Sequence, residues 1–272
     1  MVTMSSVWDR TTEVLRGRGG VLAGIAALTL FVPALVRDGV TLLLAPGSTA
    51  FALAGGLVSI LVAVIALWGQ LALLAVSTDP ATTQGDATRQ ASARLPAALG
   101  VTIVAILVVL LLIIPFGVAI GLSGADVSAM TTTGAMPDIG GGTVAFVALY
   151  TLVLLILGLY AVARIFLVNA VVLNERRGLG AFRRSFELTR GLTWRITGVL
   201  LLYLIVIGVA VSAAQFLTGA VFGLLLDSTR LVAFLAATVA GVVTTIFSVI
   251  AAAFTAQLYV AVTQRGVATV FE

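Results

Sequence analysis

The segment at residues 174–196 is the one densely charged stretch of the chain, and it reads NERRGLGAFRRSFELTRGLTWRI. It contains six of the fifteen arginines. On a helical wheel at about 100° per residue, apolar side chains fill one half, and the opposite arc holds Arg183, Arg184, Glu187 and Arg190. Long apolar segments flank this stretch on both sides. It therefore predicts an amphipathic helix at about residues 179–193 that lies in a membrane interface and joins two spans. We name residues 174–195 the arginine-rich elbow.

The composition predicts an integral membrane protein. Hydrophobic residues make up 61% of the 272 residues, charged residues make up 10%, and the mean hydropathy is +1.21. This leaves too little polar surface to cover a water-soluble globule of the same size. The net charge of +4 is concentrated next to the apolar segments, where arginine orients helices and meets anionic lipid head groups. We therefore expect membrane lipids as partners and no nucleic acid.

The residue types that the sequence lacks limit its chemistry. It contains no cysteine, no histidine and no lysine. Thiolate catalysis, the commonest general base, the commonest transition-metal ligand and Schiff-base formation are thereby excluded. The apolar segments also carry no acidic residue. We predict a protein that is not an enzyme and that has no catalytic residues, no metal site and no cofactor.

The apolar runs predict six transmembrane helices, at about residues 20–36, 50–76, 97–122, 143–173, 196–225 and 231–262. They form a single membrane domain over residues 1–272. The fourth run would be about 45 Å long as one helix, which exceeds a hydrocarbon core of about 30 Å. Either this helix tilts strongly or its last turns project beyond the membrane.

The distribution of arginine predicts the orientation. The N-terminal segment, residues 77–96, the arginine-rich elbow and the C-terminal tail together hold twelve arginines. The loops on the other side hold two, Arg37 and Arg230. Because arginine collects on the cytoplasmic side, both termini are predicted to be cytoplasmic.

A weak internal repeat accompanies this pattern. Each pair of spans follows an arginine-containing amphipathic segment, at about residues 5–16, 86–95 and 179–193. These segments predict three interfacial elbow helices, and with the spans they suggest three elbow-plus-hairpin units around an axis along the membrane normal. The alternative is that any cytoplasmic loop of a six-span protein contains arginine, and the sequence leaves both readings open.

The residues of the elbow resemble a known family. Arg164, Glu175, the run AFRRSFELTRG at residues 181–191 and the pair Trp194-Arg195 are similar to the six-span glycerophosphoryl diester phosphodiesterase membrane domain and to related bacterial inner-membrane proteins. The resemblance implies a six-span fold in the bacterial cytoplasmic membrane. Some members carry a soluble phosphodiesterase domain after the spans, which has no counterpart in these residues. The resemblance therefore bears on the fold and leaves the activity open.

Two sets of residues are candidates for binding. The predicted site for anionic lipid consists of Arg176, Arg177, Arg183, Arg184 and Arg190. The alternative role of these arginines is orientation of the helices and pairing with Glu187, which lies four residues after Arg183 and three before Arg190. The second set, structural or anion-binding, is Arg164, Glu175, Ser185, Glu187 and Trp194.

Arg164 is the one ionisable residue within a long apolar run. At mid-bilayer it would be a functional candidate that holds an anion or a lipid phosphate. At the inner boundary it would pair with Glu175, Glu187 or helix-end carbonyls, and we favour this structural role. Ser185 lies on the apolar side of the elbow, where we expect it to bond to backbone or to a neighbouring span.

The predicted function is a non-enzymatic membrane module that binds anionic lipid or a partner protein, which could be a second copy of the chain, through the arginine-rich elbow. The alternative is a transporter or channel for a small or lipidic solute. A water-filled cavity that reaches Arg164 would favour transport. A packed interior with exposed apolar grooves would favour the module.

Overall fold

A computed structural model describes residues 3–44, 48–124 and 140–268, with side chains through residue 264. These residues form helices and contain no strand. A short π-helical segment, Ala27–Phe31, connects α1 to α2. The α-helices are α1 (Met4–Ala26), α2 (Val32–Leu43), α3 (Thr49–Thr78), α4 (Gln84–Leu122), α5 (Gly141–Ile165), α6 (Val168–Asn174), α7 (Gly180–Leu188), α8 (Thr193–Leu225) and α9 (Thr229–Ala268).

Six helical stretches in the described residues are long and apolar enough to cross a membrane. They are Met4–Leu43, Thr49–Thr78, Gln84–Leu122, Gly141–Asn174, Thr193–Leu225 and Thr229–Gln264. The prediction of an all-α chain with six such helices is therefore confirmed. The first stretch begins well before the predicted span at residues 20–36, because α1, the π-helical segment and α2 run on without a break.

Two predicted elbows are joined to the helices that follow them. Residues 5–16 are the first turns of α1, and residues 86–95 are the first turns of α4. The hydroxyl of Thr83 caps α4 by accepting a hydrogen bond from the backbone N–H of Asp86, which places the helix start before the predicted elbow. Only residues 179–193 contain a short helix of their own, α7. The structure thus does not confirm the predicted elbow helices at 5–16 and 86–95, and the threefold repeat stays a prediction.

The fourth apolar run is broken in two. Helix α5 ends at Ile165, residues 166–167 form a turn, and α6 begins at Val168. Helix α6 is largely buried and packs against α3, α4, α7 and α9. The last turns of this run therefore form a separate helix that packs against four others, and the alternatives of tilt or projection beyond the membrane stay predictions.

A close contact ties α3 to the π-helical segment. A Cβ atom on Gly69 would overlap the Oγ1 and Cβ atoms of Thr29. Pro33 follows the π-helical segment by two residues, and it lacks the N–H that would bond to the carbonyl of Thr29. The local π-helical winding accommodates this missing bond. Only glycine at position 69 lets the two helices approach so closely.

Burial is concentrated at one end of the bundle. The buried side chains come mainly from α1, the end of α3, the beginning of α4, the end of α5, most of α6, one face of α7, the beginning of α8 and the end of α9. Because successive spans alternate in direction, these segments all lie at the arginine-rich end. We name this end the packed half.

The other end, the open half, exposes its apolar side chains. Eight successive residues of α4, from Leu107 to Ile114, are each at least 45% exposed. Eight residues cover more than two helical turns, so every face of α4 is accessible there. Gly117 and Gly121 in the same helix have no atom within 4 Å of an added Cβ, and the close helix contact suggested by their spacing is not present.

Candidate functional site

Arg164 and α7 are joined by hydrogen bonds in both directions. The Nη1 atom of Arg164 donates to the carbonyl of Phe186 at 2.9 Å. The hydroxyl of Ser185 donates to the carbonyl of Arg164 at 2.7 Å, and the hydroxyl of Thr189 lies 3.4 Å from the same oxygen. Ser185 and Thr189 are fully buried. These contacts satisfy backbone carbonyls near the ends of α5 and α7 and fix the two helices to each other. We name this group the α5–α7 lock.

Aromatic rings complete the surroundings of Arg164. Its guanidinium carbon lies 5.7 Å from the ring centroid of Tyr160 and 5.1 Å from that of Phe186, within the range of cation–π attraction. Its Nε atom is buried and has no partner among the described residues. Of the partners considered for Arg164, the structure pairs it with a helix-end carbonyl. Within the described part of the chain it makes no ion pair with Glu175 or Glu187.

Glu175 is the centre of a second group of contacts. Its carboxylate lies 3.0 Å from the Nε atoms of both Arg184 and Arg177. The hydroxyl of Tyr259 in α9 donates to the same carboxylate at 3.4 Å. The side chain of Glu175 is only 17% exposed. Glu175 therefore links the end of α6, the following loop, α7 and α9, and its hydrogen bond is the main reason that the pKa of Arg184 is raised.

Glu187 lies on the outer side of α7. It accepts hydrogen bonds from Arg183 at 3.2 Å and from Arg184 at 3.4 Å. The bond from Arg183, followed by that from Arg184, lowers the pKa of Glu187 below its ordinary value. Because its pKa is lowered, Glu187 stays ionised and both pairs are present at pH values above its ordinary pKa. The pairs are lost as the pH falls through the lower pKa of the folded state. The expected pairing of Glu187 with Arg190 is not among the described contacts.

The five predicted lipid-binding arginines thus differ in their surroundings. Glu175 holds Arg177 and Arg184, and Arg183 keeps an 89% exposed side chain beside Glu187. Arg176 and Arg190 are exposed, and their side chains make no described hydrogen bond or ion pair. The arginine-rich elbow carries six arginines and two glutamates, so its net charge of +4 equals that of the entire chain.

Two features fix the position of these exposed groups. Arg176 has a positive φ of 56°, a left-handed conformation that turns the chain sharply between α6 and α7. Trp194, in the first turn of α8, is 80% exposed. An exposed tryptophan beside arginines is typical of the membrane–water interface.

One long-range contact in the packed half has no signal in the sequence. Arg18 of α1 donates to the carbonyls of Asp79, Pro80 and Thr82 at 3.2, 2.6 and 2.5 Å, and it closes the loop between α3 and α4. A backbone carbonyl carries no sequence signal, so Arg18 was grouped with the arginines that set orientation. The hydrogen bond from Gln257 to the carbonyl of Ser77 at 2.6 Å is of the interhelical kind typical of amides in spans.

Three features characterise this chain. The chain is all-helical in its described residues, has six helices able to span a membrane, and has a cationic, cross-linked end. It belongs to the family of a domain of unknown function, DUF7847, whose profile matches residues 5–262. Comparison with curated proteins and with solved structures found no match. The family match does not test the likeness of residues 164–196 to the glycerophosphoryl diester phosphodiesterase membrane domain, which stays a prediction.

Proposed function

We propose that this chain is a non-enzymatic module of the bacterial cytoplasmic membrane that binds anionic lipid head groups through its arginine-rich elbow. Its termini would then lie in the cytoplasm. The observation that carries the proposal is the presence of three exposed arginines, Arg176, Arg183 and Arg190, on a rigidly held segment. Two of them have no carboxylate partner among the described residues, so lipid phosphate would meet little internal competition there.

The arginines of the elbow differ in their contacts, and this difference supports the proposal. Arg177 and Arg184 neutralise the partly buried Glu175, and the α5–α7 lock holds the helix that carries Arg183. Each cation near an anionic leaflet contributes about 1 kcal/mol of attraction. The exposed ring of Trp194 would lie at the level of the head groups and anchor the elbow in the interface. A protein partner or a second copy with an acidic surface could use the same arginines.

A transporter or channel has less support from the described contacts. A polar path that reaches Arg164 would favour transport. The centre of the packed half is instead occupied by α6, whose Ala170, Val171 and Val172 are fully buried. Arg164 itself is engaged with Phe186 and the aromatic rings.

Native mass spectrometry of the protein released from its own membrane tests the proposal. The test variant changes Arg176, Arg183 and Arg190 to glutamine. The control variant changes Arg10, Arg89 and Arg94 to glutamine, which removes the same charge from the two other arginine-containing segments at this end.

Retained anionic lipid that is lost in the elbow variant and kept in the control supports the proposal. Equal lipid retention in the wild-type protein and the elbow variant overturns it and leaves these arginines as determinants of orientation. Equal loss in both variants also overturns it, because the binding would then follow total charge and not the elbow.

A further inference from the structure

A long apolar groove runs between α1 and α9 in the packed half. Its volume is about 440 Å³, and its lining includes Leu15, Gly19, Ala23, Phe31, Ile246 and Ile250. The small residues of α1 form a shallow floor, and the larger side chains of α9 form a wall. From Leu15 to Phe31 the groove follows α1 for about 24 Å at 1.5 Å per residue. This exceeds the depth of one leaflet, which is half of a hydrocarbon core about 30 Å thick.

The two ends of the groove differ. At the end nearer the open half, the ring of Phe31 packs against Gly241, where an added Cβ would lie 3.7 Å from a ring carbon. At the arginine-rich end, Arg16 follows the lining residue Leu15 and has no described hydrogen bond or ion pair. Glu13 lies three residues before Arg16 and makes no ion pair with it among the described contacts. The groove thus ends near a cation whose side chain has no partner among the described contacts.

The lining offers no polar group to an occupant. Thr245 is the one lining residue with a polar side chain, and its hydroxyl donates to the carbonyl of Gly241 within α9 at 2.8 Å. A polar solute would lose hydrogen bonds with water and gain none in return. The groove therefore favours hydrocarbon along its length and an anion at its arginine-rich end.

We infer that this groove binds one acyl chain of an anionic diacyl phospholipid whose phosphate pairs with Arg16. The inference rests on the proposed lipid-binding function, and it adds a second site, outside the arginine-rich elbow, that holds the chain of the lipid as well as its head group. Charge complementarity at Arg16 selects a lipid with an anionic head, and the apolar lining accepts its chain.

The groove can be filled without disturbing the fold. An added Cβ on Gly19 meets no atom within 4 Å, so the variant Gly19→Leu places a side chain in the open groove. Ala23→Leu, one turn further along α1, fills the groove more deeply. Gly20→Leu is the matched control, because an added Cβ at Gly20 also meets no atom within 4 Å and Gly20 does not line the groove.

The experiment uses the full chain in lipid nanodiscs that contain phosphatidylglycerol with a photoreactive diazirine near the end of one acyl chain. After illumination, mass spectrometry maps the labelled residues. We expect labelling to concentrate on the lining of α1 and α9, to be lost in the double variant Gly19→Leu/Ala23→Leu and to persist in Gly20→Leu. Arg16→Gln should remove the preference for phosphatidylglycerol over a phosphatidylcholine probe with the same chain.

Labelling spread evenly over all exposed apolar faces, or labelling unchanged in the double variant, would overturn the inference. A second copy of the chain is a competing occupant of the groove. Because the sequence has no cysteine, Ala23→Cys creates a unique thiol, and efficient disulfide-linked dimers through it in the membrane would also overturn the inference.

The outcome is separable from that of the proposed function. Loss of lipid in the elbow variant with no specific labelling of the groove leaves the elbow function standing and removes the groove site. If the groove is labelled specifically but the elbow variant retains as much lipid as the wild-type protein, the groove site stands and the elbow function is overturned.

Discussion

The packed half and the open half of the bundle are built from the same six spans but are held in different ways. In the packed half, leucine, valine and alanine side chains are buried between helices together with serine and threonine, and hydrogen bonds join separate helices and loops. In the open half, nearly every side chain in long stretches of leucine, isoleucine and valine is exposed. Lipid tails are as apolar as leucine, so such side chains gain little by leaving lipid for each other. Close backbone approach and polar contacts therefore decide where the helices associate.

The contacts of the packed half also hold the charged segment of the chain in place. The arginine-rich elbow is attached to the packed half through Glu175 and through the α5–α7 lock. Its exposed arginines are consequently held on a firm support, whereas the open half offers an adaptable surface to surrounding lipid. Substitutions matched between the two halves test this contrast.

The largest expected effect is at the contact between α3 and the π-helical segment. Gly69→Leu should destabilise the protein by about 3 kcal/mol, because the side chain would overlap Thr29 in a tightly packed site. The matched change in the open half, Gly117→Leu, meets open space and should be neutral or slightly stabilising, since glycine weakens a helix. Thermal unfolding in detergent, followed by tryptophan fluorescence, measures both. Equal loss of stability in the two variants would contradict the contrast between the halves.

A smaller effect is expected at the carboxylate that joins α6, α7 and α9. Glu175→Gln should cost about 2 kcal/mol, because it leaves Arg184 without its main partner in a partly buried site. The control is Asp86→Asn, which removes the ion pair of Asp86 with the 81% exposed Arg89 and should cost clearly less than the change at Glu175. Denaturant titration of the purified variants gives both values. An equal cost at the two sites would show that Glu175 is not a structural centre.

The α5–α7 lock should show an effect of about 1 kcal/mol. Ser185→Ala removes the 2.7 Å hydrogen bond to the carbonyl of Arg164 and leaves that buried oxygen with only the longer contact from Thr189. Ser248→Ala is the control, because the hydroxyl of Ser248 bonds only within α9. Hydrogen exchange of residues 180–190 should rise in the first variant and stay unchanged in the second. Unchanged exchange in both variants would show that the α5–α7 lock does not hold α7 in place.

The smallest effect on stability is expected at Glu187. Its side chain is 48% exposed and its ion pairs are screened by solvent, so Glu187→Gln should leave stability nearly unchanged. The same change frees Arg183 and Arg184 from their shared carboxylate and should increase the retention of anionic lipid in native mass spectrometry. A decrease in retained lipid would mean that Glu187 positions the arginines for binding and does not compete with it.

Composition and the distribution of apolar runs were enough to predict six membrane-spanning helices, because each run is long and almost without charge. The break after Ile165 was not predictable from that pattern. Apart from Asn169, residues 166–173 remain apolar through the turn, and the break accompanies the packing of α6 against four other helices, which is a tertiary effect. The continuity of α1 through Gly17, Gly19 and Gly20 was also hidden, since Arg18 anchors this segment by contacts with distant carbonyls.

The candidate site was predicted in part. Residue types and spacing placed Glu187 beside Arg183, since these residues are four apart on one helix. They also led to the expectation that Ser185 would bond to backbone, as it does at the carbonyl of Arg164. The pairing of Glu175 with Tyr259 joins residues 84 positions apart, and no local pattern carries that information. The distinction between bound and exposed arginines therefore required the three-dimensional structure.

Hydrogen–deuterium exchange in nanodiscs of two compositions would show whether the arginine-rich elbow binds anionic lipid. One nanodisc contains only zwitterionic phosphatidylcholine, and the other also contains anionic phosphatidylglycerol. We expect the anionic lipid to slow exchange in residues 174–192 and to leave residues 103–122 in the open half unchanged. Equal exchange of residues 174–192 in the two nanodiscs, or slowing that is as large in the open half, would contradict it.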